Sequence, residues 1–358
     1  MSSSLAIPMP VPSTHRDVAT VLVYDVGGSH ISAALCDQHT YTLHGLSRAP
    51  LPASSESNEG PGHFSAASFG RLIHTLGETA AKAAKKPLSS IRGAGLAMPG
   101  PFDYERGISQ MTHKLLPLFG VDLKSALSSR FGWQPSQVRF VNDAAAFLLG
   151  EVGAGAAKGY SRAIGITLGT GIGCAFSVDG HIPIPSDRPG GDPTVPPGGE
   201  IWNLPYNGAT VEDFVSTRFL RQQYLALTGL EADVSDVAAI AQCIDNEPCP
   251  ALDATLAQQA RSTQLAARSA SGNPANSPLK AARQAFADFG RHLGLALNQH
   301  AAPFAPEVIV LGGGISRASQ LFLSATRKAL VGFSPTIVVS SLMDQAPLAG
   351  AGFHWFSS

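Results

Sequence analysis

Two glycine-rich turns carry the first chemistry legible in this chain. One lies in DVGGSHISAALCD at residues 25–37, the other in TLGTGIGCAFSVDG at residues 167–180. Aligned without a gap, Gly27 falls on Gly169, Ser29 on Gly171, Ala33 on Ala175 and Asp37 on Asp179. A glycine bend has no Cβ, so its backbone N–H groups can come close to an anion. Two facing bends could hold one phosphate chain between them. Asp25 ends an apolar run just before Gly27 and Gly28. A carboxylate there repels phosphate unless a cation lies between, and Mg²⁺ suits, since it keeps several waters and needs only one or two carboxylates besides phosphate oxygens. An Asp before Gly-Gly is also a common turn former. In FVNDAAAF, Asn142 and Asp143 fall where a strand meets a helix start. Asp143 could accept the proton of a hydroxyl being phosphorylated. Both residues are also favoured helix N-caps, and capping alone would explain either.

These residues need elements to position them. Each glycine turn follows an apolar run, VLVY at 21–24 and AIGI at 163–166, and leads into small and apolar residues. That pattern predicts two β-hairpins with glycine-lined tips. Strands over 21–25, 32–37 and 41–46 form a meander, followed by a Ser/Gly/Pro-rich loop at 50–62. Apolar positions at helical spacing (Phe69, Leu72, Ile73, Leu76), with lysines at the end, predict a helix over 64–85. A strand at 91–98, a helix at 123–130, a strand at 138–141 and a helix at 144–153 follow. In the second half the hairpin at 163–182 precedes a Pro/Gly loop at 186–199. Helices are expected at 211–227, 234–243, 251–269 and 279–301, a loop at 269–278 and a strand at 307–311. Strands alternating with helices argue for an α/β fold, and the duplicated hairpin for two similar lobes with a ligand cleft between them. The expected division is a flexible tail at 1–20, a small lobe at 21–141 to which 345–358 returns, and a large lobe at 142–344.

Composition agrees with a compact enzyme-sized protein. The 358 residues suffice for a large core, 44% are apolar and only 14% charged. A net charge of −1 offers no field for nucleic acid or anionic membranes. The leader MSSSLAIPMPVPSTHRD has no basic start and prolines interrupt its apolar stretch, so it reads as neither secretory signal nor membrane span. A cytoplasmic protein is expected, and its four cysteines are expected as reduced thiols. Cys243 and Cys249 stand at a spacing unlike common zinc pairs.

The order of motifs resembles the ROK family of the sugar kinase, actin and heat-shock-protein ATPase superfamily. The hairpins look like its two phosphate motifs, and GAGLAMPGPFDYERG at 93–107 resembles its GxGxPGPxD…G stretch. FVNDAAAFLLGE at 140–151 resembles its NDAxxxALGE helix start, and VIVLGGGIS at 308–316 its adenosine-side motif. The resemblance implies an actin-like (ribonuclease H-like) fold of two similar lobes and ATP as phosphoryl donor with Mg²⁺. It makes Asp143 the base, with Asn142 beside it on a sugar hydroxyl. Asp25 then faces the metal, through water, near Gly27, Gly28 and Ser29. Gly169, Thr170 and Gly171 approach the transferred phosphate, and Gly312, Gly313 and Gly314 the nucleotide.

On the sugar side the chain departs from the family. Where relatives read GEIGH and a cysteine-rich zinc loop, this chain reads GGEIWNLPYNGATVEDFVST at 198–217. By resemblance Glu200 and Glu212 bind sugar hydroxyls, although Glu212 also suits an early helix turn. Asn203 stands where relatives have histidine, and Trp202 replaces a glycine. No cysteine lies between Cys174 and Cys243, so zinc is not expected. His113 and Lys114 stand in a loop where relatives place an Asn-bearing sugar contact. Three functions follow: a kinase of a glucose-like hexose, a kinase of an N-acylated amino sugar, or a sugar-binding regulator. The last is disfavoured because only about twenty residues precede the first hairpin, too few for a DNA-reading module. Polyphosphate as donor is a further alternative. A homodimer is expected from the family.

Overall fold

The computed structural model describes residues 18–51, 64–112, 115–245, 247–263 and 277–357. The tail through residue 17, most of the 50–62 and 269–278 loops, and His113 and Lys114 lie outside the described residues. The chain opens with strands β1 (Thr20–Val26), β2 (His30–Asp37) and β3 (Leu43–Pro50). Helix α1 (Ala66–Ala83) starts at a capping box in which Ser65 and Ser68 satisfy each other's backbone N–H. Then come β4 (Ala94–Met98), α2 (Leu123–Phe131), β5 (Val138–Asn142) and α3 (Asp143–Ala154). These strands form one five-stranded sheet in the order β3-β2-β1-β4-β5. The third strand runs later than sequence patterning implies, because Thr40–Thr42 is spent on the turn that closes Tyr41 N–H onto the Asp37 carbonyl.

The second half repeats the plan. Strands β6 (Arg162–Leu168) and β7 (Ile172–Val178) form the second hairpin. Helices α4 (Val211–Phe214), α5 (Thr217–Thr228), α6 (Val234–Gln242), α7 (Pro250–Thr263) and α8 (Pro278–His300) follow. Strand β8 (Val308–Gly312), helix α9 (Ser319–Ala329), strand β9 (Thr336–Val339) and helix α10 (Ala346–Ser357) complete it. The second sheet is ordered β9-β8-β6-β7. In each sheet an antiparallel hairpin is extended on the side of its first strand by a parallel neighbour, β4 beside β1 and β8 beside β6. The α/β fold of two similar halves read from the duplicated hairpins is the fold observed.

Two expectations change. The helix expected over 211–227 is broken, since Val215 is non-helical and Ser216 caps a new helix by accepting from Phe219 N–H. Cys243 and Cys249 form a disulfide instead of the expected reduced thiols: Cys243 is the C-cap of α6 and Cys249 directly precedes α7, and their Cα atoms stand 5.7 Å apart. Cys36 and Cys174 are free and buried.

Helices α3 and α10 lie between the two sheets. One core joins Val21, Val23 and Ala97 of the first sheet to Ala163, Val308 and Val310 of the second through Ala146, Leu148, Leu348 and Ala351. Gly150 and Gly350 allow the helices to touch, since a Cβ on either would strike the other helix's backbone. Gly95 similarly admits the Ala351 carbonyl of α10 to the first sheet. Among the described residues no helix is long and apolar enough to cross a membrane.

Candidate active site

Parallel strands end on one side, and side chains at their carboxyl ends share a crevice. In the first sheet β1, β4 and β5 are parallel, with Asp25 paired to Ala97 and Ala97 to Val141. Asp25 and the Asn142–Asp143 corner therefore lie at the same edge. Burial pushes the Asp25 carboxyl up to about 7, and the negative charges of Asp143 and Asp344 add to the rise while Arg48 opposes it. The structure thus brings Asp25 and Asp143 together across one β-strand.

Asn142 caps α3 by accepting from Ala145 N–H at 3.1 Å, and its amide donates to the Tyr104 hydroxyl at 3.1 Å. That hydroxyl donates onward to the Met98 carbonyl at 3.2 Å. Asp143 Oδ1 accepts from Ala144 N–H at 2.9 Å. One oxygen of Asp143 is thereby fixed by its own helix start, which orients the carboxylate. Tyr104, which sequence patterning does not single out, is a hydrogen-bonding neighbour of the corner. Its proton is held tightly by burial, so it remains a hydrogen-bonding phenol.

The first glycine turn is closed by Gly27 N–H donating to the His30 carbonyl at 3.0 Å, and a Cβ on Gly28 would meet open space. The second turn is closed by Gly169 N–H on the Gly171 carbonyl, also at 3.0 Å. The Gly169 carbonyl is engaged from behind by Thr217, through its N–H at 2.9 Å and its hydroxyl at 2.7 Å. Thr170 is exposed at the tip. Gly312 pairs with Thr167 in the sheet, so the third glycine cluster stands beside the second turn. Gly313 has φ of +80° and lies against the Leu168 backbone where a Cβ would clash, and Gly314 faces open space.

The loop from 200 to 212 joins this rim. Burial raises the pKa of Glu200, the Asp143 charge adds to the rise, and a hydrogen bond from Trp202 opposes it. The Trp202 carbonyl accepts from Glu212 N–H at 3.0 Å. Trp202 therefore ties the two glutamates to one another, a role its replacement of glycine did not reveal. Glu212 lies in the first turn of α4, where its Oε2 accepts from Ile172 N–H at 3.2 Å and covers Gly171. It meets the second glycine turn rather than standing apart from it. Asn203 is exposed.

A buried carboxylate braces the rear of the site. Glu151 of α3 accepts from Ala156 N–H at 2.6 Å, Leu342 N–H at 3.1 Å and the Ser340 hydroxyl. It holds the loop that carries Asp344, which faces Asp25 and pairs with Arg317 at 2.9 Å. Among the described residues, no group of three or more His, Cys, Asp or Glu is arranged to hold a metal.

Two sheets with duplicated hairpins, central paired helices and carboxylates at the strand ends define a protein of the actin-like ATPase fold. Solved structures agree. A ROK hexokinase from Thermus thermophilus is similar over 93% of this chain and 97% of its own, at TM-score 0.64 and 22% identity. A ROK glucokinase from Streptomyces griseus, in complex with glucose and AMPPNP, is similar over 95% and 100%, at TM-score 0.64 and 20% identity. The ROK family model matches residues 21–357, and the chain belongs to the ROK family. It is 27% identical over 280 residues to a glucokinase of Thermotoga maritima, covering 72% of this chain and 77% of that protein.

Proposed function

We propose that this chain is a sugar kinase that moves the γ-phosphoryl group of ATP to a hydroxyl of a glucose-like hexose. The observation that carries the reading is the meeting of Asp25 and Asp143 at one sheet edge, flanked by two glycine turns in which Gly28 and Gly169 face open space. Similarity to a glucokinase supports the choice of sugar.

Asp143 is the base in this reading. Its carboxylate, oriented through Ala144 N–H, takes the proton of the acceptor hydroxyl as the phosphoryl group arrives. Asn142, braced by Tyr104, holds that hydroxyl in line, and Glu200 and Glu212 bind other hydroxyls. Asp25 fits Mg²⁺, because a buried carboxylate that feels the Asp143 charge gains from a cation, and Mg²⁺ needs only one or two carboxylates besides phosphate oxygens and water. When bound there, Mg²⁺ would neutralise charge on the phosphates. Gly27, Gly28, Ser29, Gly169, Thr170 and Gly171 cradle the phosphate chain. Gly312, Gly313 and Gly314 admit the nucleotide, and approach of the 21–141 and 142–344 lobes excludes water.

A cavity of about 330 Å³ opens beside Thr170, with Thr217, Arg221, Gln222, Leu225 and Glu231 in its walls. Its mixed apolar and polar lining suits a nucleoside better than a bare polyphosphate chain, which favours ATP. Trp202, 42% exposed beside Glu200, supports a second reading in which the acceptor is an N-acetylhexosamine stacked on the indole. A cytoplasmic homodimer goes with either reading, and sizing should return twice the chain's 37.1 kDa.

The test is ADP release from Mg-ATP across glucose, mannose, fructose, allose, N-acetylglucosamine and N-acetylmannosamine, with Asp143→Ala as the blank. Turnover with a hexose that the variant lacks supports the reading. Turnover confined to an N-acetylated sugar selects the second. No turnover with any sugar, from ATP or polyphosphate, refutes both.

A further inference from the structure

Arg48 lies in a row with the site. Asp25 pairs with Ser32 across β1 and β2, and Ser32 pairs with Arg48 across β2 and β3. Directly opposed residues in a sheet point to the same face, so Arg48 stands on the face of Asp25. Its guanidinium Nη2 is bonded to His30 Nε2, and His30 Nδ1 lies 2.9 Å from Ser29 Oγ.

The chemistry of these groups fixes the direction of each bond. A guanidinium has donors only, so His30 Nε2 accepts and carries no proton. The neutral ring must then hold its proton on Nδ1, which donates to Ser29 Oγ. With its oxygen accepting from the ring, Ser29 cannot donate to His30 and keeps its own hydroxyl proton for another acceptor. Burial and the Arg48 charge both hold His30 below its ordinary pKa, against the pull of Asp344, consistent with a neutral ring.

We propose that Arg48, acting through His30, makes Ser29 an obligatory hydrogen-bond donor to the phosphate chain of the substrate. Arg48 and His30 are thus positioning residues, and the proposal rests on the kinase reading above. Without Arg48 the ring is free to take the other tautomer. Nδ1 then accepts from Ser29, and the hydroxyl is withdrawn from the phosphate.

The experiment compares wild type with Arg48→Met, Arg48→Lys, Ser29→Ala and the double variant Ser29→Ala/Arg48→Met. It measures Mg-ATP affinity by titration calorimetry, and KM for ATP and for the sugar in the coupled assay. Arg48→Met should weaken Mg-ATP binding on the order of tenfold, the scale of a charge-assisted bond, with sugar KM unchanged. Lysine, still a donor to Nε2, should restore most of the loss. The double variant should bind no worse than Ser29→Ala alone. An unchanged Mg-ATP affinity in Arg48→Met, full additivity of the two losses, or an equal rise in sugar KM would overturn the inference. In each of those cases an active wild type leaves the kinase reading standing. A wild type that neither binds Mg-ATP nor turns over removes the kinase reading and the inference together.

Discussion

Replacing Asp25 with asparagine isolates the cost of a buried carboxylate facing other acids. In the unfolded chain Asp25 titrates at its ordinary value of 3.8, whereas in the fold burial and the neighbouring charges raise it to about 7. The folded protein therefore holds a proton that the unfolded chain has already released, and its stability falls as pH rises from about 4 toward 7. A gap of about three pH units, at about 1.4 kcal/mol each, sets an upper figure near 4 kcal/mol. Asparagine does not ionise, so Asp25→Asn should match wild type at acid pH and exceed its stability above pH 7. For a chain of this length the difference corresponds to on the order of 5 °C in Tm. Melting both proteins from pH 4.5 to 8.5 in EDTA tests it, and EDTA matters because a bound divalent cation would relieve the same charge. Parallel pH profiles for the two proteins would refute the argument that Asp25 is buried beside Asp143. With Asp25 as the proposed cation ligand, activity of Asp25→Asn should fall sharply at every pH.

Further outcomes are expected. Asp143→Ala should lower kcat by about a hundredfold or more while sugar binding, followed by intrinsic fluorescence, persists; near-normal turnover would remove it as base. Glu200→Gln should raise sugar KM with little change in ATP KM, and an unchanged sugar KM would take it out of the pocket. Gly350→Val forces a side chain into the Ala146 backbone and should cost about 1–3 kcal/mol or more in a denaturant melt, whereas Gly314→Ala, facing open space, should leave stability near wild type. Thiol titration of the unreduced, denatured protein should find two reactive cysteines, Cys36 and Cys174, rather than four.

Much of the fold could be read from pattern. Apolar runs before Gly27 and Gly169 set two hairpins, because strand, glycine bend and strand are all local signals. Capping residues marked α3 at Asn142 for the same reason. Local signals failed where tertiary contacts decide. Val215–Ser216 interrupts a stretch of otherwise helical residues, and at this break Thr217 turns its N–H and hydroxyl to the distant Gly169 carbonyl. The pairing of Cys243 with Cys249 depends on how α6 turns into α7, which cysteine spacing does not encode.

By itself, the sequence determined which groups are present: two glycine turns, an acid before one of them, an Asn-Asp pair at a helix start and a third glycine cluster after a strand. Each follows from the conformational freedom of glycine or the capping preference of short polar side chains, which act within a few residues. Only the tertiary structure decided which groups meet. Strand order set Asp25 beside Asp143, cross-strand register set Arg48 in line with Asp25, and the fold of the 200–212 loop turned Glu212 onto Gly171. Electrostatic coupling depends on distance through a low-dielectric interior, and such distances arise from packing between segments far apart in the chain.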